Sequence, residues 1–245
     1  MSKQKNTHRR KKKSGPLDWL LNILIVALLV SGLYLIARPR IENYLQDRKM
    51  AEVLDQMADF NQEVYTITLG ENDFRVAGEE LEQLGYEGEL EINTLEPVDV
   101  DVNMYATIQI PKIDLTMPVA DEATLYSLRV SVGHWSPGAK LGDKGNAVIF
   151  GHRTYVEGRH FHSLHKLENA DQIVFTTFDT VYTYEVDKSL TIDPSRLLQT
   201  ITEPTDQARV ILVTCTPLTE PRGINRLLVF GHLVEARPRA TVNNN

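Results

Sequence analysis

Cysteine is almost absent from this chain. Cys215 is the single cysteine in 245 residues, so no disulfide can form within the chain. No internal repeat and no EF-hand loop pattern is found. The first sixteen residues hold no acid but carry Lys3, Lys5, Arg9, Arg10, Lys11, Lys12 and Lys13. Removing those seven charges from the formal net charge of −7 leaves −14 for residues 17–245. The main body therefore lacks the basic face that phosphate backbones demand, which argues against nucleic-acid binding. What remains, 42% hydrophobic and 24% charged, is ordinary for a globular protein of one large domain or two small ones.

Residues 19–37 lack charge altogether. Nineteen residues at a helical rise of about 1.5 Å span roughly 28 Å, close to the hydrocarbon thickness of a bilayer. Trp19 and Tyr34 lie toward the two ends, where amphipathic rings prefer to sit. No small-x-small cleavage site follows, since the run ends Ala37-Arg38-Pro39-Arg40, and this pattern predicts an uncleaved signal anchor. The basic cluster of tail 1–18 precedes the helix and outweighs Arg38 and Arg40 behind it. Positive-inside then places the N-terminus in the cytoplasm and the rest outside. Residues 239–245 form a polar tail without a second apolar run, so a single-pass membrane protein is expected.

Residues 38–102 read as a helical stalk and an acidic linker. Ile41, Tyr44, Leu45, Val53, Leu54, Met57 and Phe60 fit helical spacing, which predicts an amphipathic helix over 40–62. Residues 63–101 hold twelve acids, from Glu63 to Asp101, against Arg75 alone. A solvated linker is the simplest reading of such a charge run; a lid over a site is the other.

From residue 103 to 238 the pattern becomes β-rich. Strands are expected at Tyr105–Ile110, Leu115–Val119, Asn146–Phe150, Ile173–Phe178, Val181–Val186 and Leu190–Ile192, and on both sides of Cys215. Gly133–Gly138 reads as a turn-rich segment. Eight or so short strands with few helices predict a mainly β fold, a closed barrel or a sandwich.

Cys215 follows the apolar run Val210–Thr214 and precedes a loop with Pro217, Pro221 and Gly223. A lone cysteine is either a small buried hydrophobe or a reactive thiol. An exterior thiol without a disulfide partner is exposed to oxidation, which favours use over filling. A thiol nucleophile needs a nearby base or cation. His152 begins a loop directly after a buried strand, as Cys215 nearly does, so the two can meet across a barrel mouth. Arg226 opens the next apolar run and carries a fixed charge with several donors, suited to a developing oxyanion; it could equally be an exposed strand-end arginine. His160, His162 and His165 are spaced as zinc ligands could be, but nothing completes a set at a familiar spacing. His134 is placed in a loop and His232 within the last strand. No cofactor and no metal is expected.

Val213-Thr214-Cys215-Thr216-Pro217, with Arg226 eleven residues on, resembles the active-site signature of the sortase family. Asn146–Arg153 is similar to the sortase histidine strand, and Gly133–Ala139 with Gly142–Asn146 to the segment before it. The resemblance covers about 103–236. It implies an eight-stranded β-barrel with short helices, preceded here by one transmembrane helix and an amphipathic helical segment. It further implies a membrane-anchored cysteine transpeptidase of mainly Gram-positive bacteria. Such enzymes cut an LPXTG-like C-terminal sorting signal through a thioacyl intermediate. An amine from a cell-wall precursor or a pilin lysine then resolves it. By residue match Cys215 is the nucleophile, His152 the general acid and then base, and Arg226 the group that positions substrate and stabilises the oxyanion. The text around His152, with Thr154-Tyr155 and Phe161–Leu164, is similar to class D and E enzymes. Gly223–Val229 is more similar to class C, yet the Asp-Pro-aromatic lid motif and second anchor usual there are not found. Sorting-signal binding is expected between Lys188 and Gln207, where Ile192, Leu197, Leu198 and Ile201 either line a groove or belong to the core. A hydrolytic cysteine protease and a silent membrane-tethered binding domain are the alternatives.

Overall fold

The computed structural model describes residues 16–58, 64–69, 98–124, 126–154, 158–217 and 223–240. The basic tail up to residue 15 and the acidic stretch 70–97 lie outside the described residues. The chain divides into two compact units, one up to Arg48 and one from Lys49 on.

Helix α1 (Pro16–Ala58) joins the apolar run and the expected amphipathic segment into one element. Trp19–Arg38 within it is long and apolar enough to cross a membrane. Its last turns belong to the second unit. There Val53 and Met57 are buried with Tyr65, Val102, Met104, Ala120 and Val130.

Nine strands follow: β1 (Val64–Leu69), β2 (Val98–Ile110), β3 (Leu115–Ala120), β4 (Val132–His134), β5 (Gly145–Phe150), β6 (Gln172–Thr176), β7 (Thr180–Ile192), β8 (Ala208–Thr216) and β9 (Asn225–Pro238). Their order is β1-β2-β3-β4-β5-β8-β9-β7-β6, and β2 also pairs with β6. That last pairing closes β2 to β9 into an eight-stranded barrel, and β1 hangs on the outside of β2. Closure removes the exposed edges an open sheet would present. A short helix α2 (Leu197–Ile201) bridges β7 and β8.

Three strand expectations change in the structure. β2 begins ahead of residue 103: Val100 and Val102 turn inward while Asp99 and Asp101 face out, and the acids accept hydrogen bonds from Thr68 and Thr66 at 2.7 Å each. Two members of the acidic stretch are thus the polar face of a strand. Val181–Val186 and Leu190–Ile192 are a single strand, β7, interrupted by register shifts against β9. His134 lies in β4, not in a loop; it is buried, and its Nε2 meets the Ala139 carbonyl at 2.9 Å.

The core explains the unbroken apolar runs. Ala147, Ile149, Val210, Leu212, Leu227 and Val229 fill the barrel interior. Their neighbours Val148, Ile211, Val213, Leu228 and Phe230 pack on the outer face with Ile192, Ile201 and the half-buried Trp135, Phe150 and Leu197. β5, β8 and β9 are therefore covered on both faces. A strand buried on both sides reads as continuous hydrophobicity rather than alternation.

Candidate functional site

β5 and β8 run parallel, in register from Gly145 opposite Ala208 to Phe150 opposite Val213. Neighbouring strands lie about 4.8 Å apart. His152 and Cys215 each lie two residues beyond the last registered pair. The contact continues past it: the Gly151 N–H donates to the Val213 carbonyl at 3.1 Å, and the Thr214 hydroxyl donates to the Gly151 carbonyl at 2.8 Å. His152 thus leaves its strand beside the end of the strand that carries the thiol.

On the other side β8 and β9 are antiparallel, with Cys215 directly opposite Arg226. Opposed residues share one face of a sheet, their Cβ atoms about 4.5–5.5 Å apart. By strand alternation Cys215 falls on the face of Ile211 and Val213, and Arg226 on that of Leu228 and Phe230. That is the outer face of the barrel, so the thiol stands at the end of an apolar floor and not inside the barrel. The Arg226 Nη1 donates to the carbonyls of Gly223, at 2.7 Å, and Asn225, at 3.1 Å.

Gly223 has φ +64, a left-handed conformation that costs a side-chain-bearing residue. Its N–H donates to the Pro217 carbonyl at 3.1 Å, which holds Gly223 beside the end of β8. A Cβ at this position would sit 3.6 Å from the Cys215 Cβ and 4.0 Å from Sγ. Glycine leaves the thiol uncovered on that side.

Two further residues belong to this neighbourhood. Arg153, half-buried, donates from Nη1 to the Cys215 carbonyl at 3.4 Å and to the Thr216 hydroxyl. Burial lowers its guanidinium from the ordinary value, and the charge interaction with Cys215 opposes that shift. His160 is 3% exposed and meets His152 edge to face, the ring centroids 5.8 Å apart and the planes at 70°. Its backbone N–H donates to the Met117 sulfur at 3.0 Å. Burial first, and then the charges of His152, Arg129 and Arg159, push the His160 imidazole down to about 3. It is a neutral ring at neutral pH.

The structure brings His152, Cys215 and Arg226 to one end of β5, β8 and β9. Apart from His160, which touches His152, the other described histidines make separate contacts. His162 Nδ1 meets the Thr154 carbonyl at 2.6 Å, His165 is exposed, and His232 pairs with Asp187 at 2.6 Å. Among the described residues no three of His, Cys, Asp and Glu converge as a metal would require. Of the residues weighed as a groove, Ile192 and Ile201 are buried in the outer-face cluster, Leu197 packs against it, and Leu198 is 63% exposed. Arg153 was overlooked in the sequence although it directly follows His152. His160 was weighed only as a metal ligand. The Arg153 contact joins positions 62 residues apart, the His160 contact lies within one loop, and no periodic pattern announces either.

Residues 108–234, just over half of the chain, match the model of the sortase domain. The chain belongs to the sortase family. This sortase is 29% identical to sortase D of Bacillus subtilis (strain 168) over 128 residues, 52% of this chain and 62% of that protein. Sortase E1 of Streptomyces coelicolor, solved with a tripeptide in its active site, is 29% identical; the match covers 58% of this chain and 94% of that one at a TM-score of 0.50. Listeria monocytogenes sortase A is 25% identical over 56% of this chain and 91% of its own, with a TM-score of 0.51. The matched stretch of this sortase runs from β2 to β9 and contains His152, Cys215 and Arg226.

Proposed function

We propose that this sortase is a membrane-anchored cysteine transpeptidase that cleaves a C-terminal sorting signal of the LPXTG kind and joins the released protein to an amine. The observation that carries the reading is the register: Cys215 directly opposite Arg226, beside the strand that His152 follows by two residues. The tripeptide in the active site of the Streptomyces coelicolor enzyme supports a peptide substrate.

In this mechanism the Cys215 thiol passes its proton to His152 as Sγ attacks the threonyl carbonyl of the signal. Arg226 faces the carbonyl oxygen as its negative charge develops, where fixed donors act most strongly. His152 gives a proton to the departing amine, leaving a thioacyl bond on Cys215. The incoming amine, from a cell-wall precursor or a pilin lysine, passes a proton to His152 as it attacks. The thiol is then released. Two acyl transfers replace one difficult amide exchange. The outer-face cluster that covers Ile211, Val213, Leu228 and Phe230 keeps Phe150 and Leu197 only half-buried, apolar surface that suits the apolar residue of such a signal. Trp19–Arg38 is the anchor, with the basic tail in the cytoplasm and the barrel outside, where secreted substrates pass.

The test uses the full chain in detergent micelles with fluorogenic sorting peptides, with and without amine acceptors. Cleavage that requires Cys215, with the added amine recovered in the product, supports the reading. Cleavage undiminished in Cys215→Ala overturns it, and product that never contains the amine reduces the activity to hydrolysis.

A further inference from the structure

We propose that Arg153 is a positioning residue for the reacting pair, fastening the strand end that carries Cys215 to the loop that carries His152. The inference rests on the transpeptidase reading for its meaning and on the geometry around Arg153 for its content.

Arg153 is the residue after His152, so its backbone moves with the imidazole. Its side chain reaches the other strand: Nη1 donates to the Cys215 carbonyl and to the Thr216 hydroxyl. One guanidinium nitrogen carries two protons and can serve both acceptors at once. The contact spans 62 residues of sequence and ties the main chain of the thiol residue itself. The Thr214 hydroxyl bonds the Gly151 carbonyl one step before it. Together these three bonds lace the ends of β5 and β8 on both sides of the His152–Cys215 level.

A surface arginine ordinarily runs its stem over the protein and leaves its head in water. Arg153 does not: its Nε is buried without a hydrogen-bond partner. The head is held inward by what Nη1 gains at the Cys215 strand end. The guanidinium also lies close enough to Cys215 for the two to interact electrostatically. Arg226 is differently employed, since its Nη1 serves the carbonyls of Gly223 and Asn225 at the start of β9. Neither arginine duplicates the other's contact.

The experiment compares the full chain in detergent micelles with Arg153→Ala, Arg153→Lys and Thr216→Val. It reads kcat and KM on a fluorogenic sorting peptide and, separately, the rate at which iodoacetamide alkylates Cys215. Loss of the strap misplaces the pair by a fraction of an ångström to an ångström, for which a drop of about 10- to 100-fold in kcat is expected, with KM within about threefold. Arg153→Lys keeps the charge without the planar fork and restores part of the loss. Thr216→Val, which keeps the volume and the arginine, gives a smaller drop and remains informative if Arg153→Ala does not fold. Alkylation slows several-fold in Arg153→Ala. A kcat and an alkylation rate both within about twofold of the parent overturn the proposal, as does a change confined to KM. If the parent turns over no sorting peptide, the transpeptidase reading fails by itself. The alkylation rates then decide the strap alone: dependence on Arg153 supports it, and independence overturns it.

Discussion

A thiol is mostly protonated at neutral pH, so the groups around Cys215 govern what it can do. In the proposed mechanism Arg226, opposite Cys215 across the ladder, faces the developing oxyanion. Arg226→Ala is expected to lower kcat by about 10²–10³-fold, with Arg226→Lys recovering little because an ammonium lacks the planar fork; steady-state kinetics on a sorting peptide measure both. Gly223→Ala tests the open side of the thiol. The new methyl would need a left-handed backbone and would stand 4.0 Å from Sγ, so slower iodoacetamide alkylation of Cys215 and a lower Tm are expected, the strain being about 1–3 kcal/mol. The strand-end placement of Cys215, His152 and Arg226 was legible in the sequence because each sits at the edge of an apolar run. The contacts of Arg153 and His160 were not. Arg153 reaches the end of β8, which only the register between β5 and β8 reveals, and His160 meets His152 within a loop that no periodic pattern encodes.

At the scale of elements, the strand ends hold the site. Gly151, between β5 and His152, has room for no side chain: a Cβ would approach the Phe161 ring to 2.6 Å and a Val132 methyl to 2.9 Å. Gly151→Ala is therefore expected to destabilise the fold by about 1–3 kcal/mol through overpacking, read as a lower urea midpoint. It should also reduce kcat by pushing His152 off its strand end. Inside the barrel, Ile149→Ala removes a fully buried side chain and should cost about 2–5 kcal/mol while sparing KM. Most strands were readable from their apolar runs. β4 was not, because Gly133 and His134 are turn-like residues and only pairing to β3 and β5 makes them a strand. β7 was read as two strands because Lys188 and Ser189 interrupt its pattern. In the structure these residues stay paired with β9, opposite Phe230 and Val229, and Lys188 lies over the Phe230 ring at 4.8 Å.

At the scale of the whole molecule, stability depends on keeping a histidine neutral in the interior. The His160 imidazole is held at about 3, against about 6.5 in an unfolded chain. Between those values the unfolded chain binds a proton that the folded chain refuses. The contribution is therefore complete above pH 6.5 and is lost as pH falls toward 3, by at most about 1.4 kcal/mol per pH unit. Urea midpoints across that range should fall more steeply for the parent than for His160→Asn, whose side chain tolerates the left-handed backbone at φ +42. Parallel slopes would show that His160 takes up no share of the acid titration. The closed barrel was legible as a class from strand number and turns, whereas the outer strand β1 was hidden in a stretch whose composition is dominated by acids. The proposed function joins apolar helix, barrel and strand-end cluster in acyl transfer through one thiol, and a single measurement addresses it. The full chain is incubated with a sorting peptide, quenched in acid and examined by mass spectrometry. The account predicts a peptide acyl group on Cys215, cut at the threonyl carbonyl, that disappears when an amine is added. Turnover of the peptide with no acyl group on Cys215, or with an undiminished rate in Cys215→Ala, would contradict it.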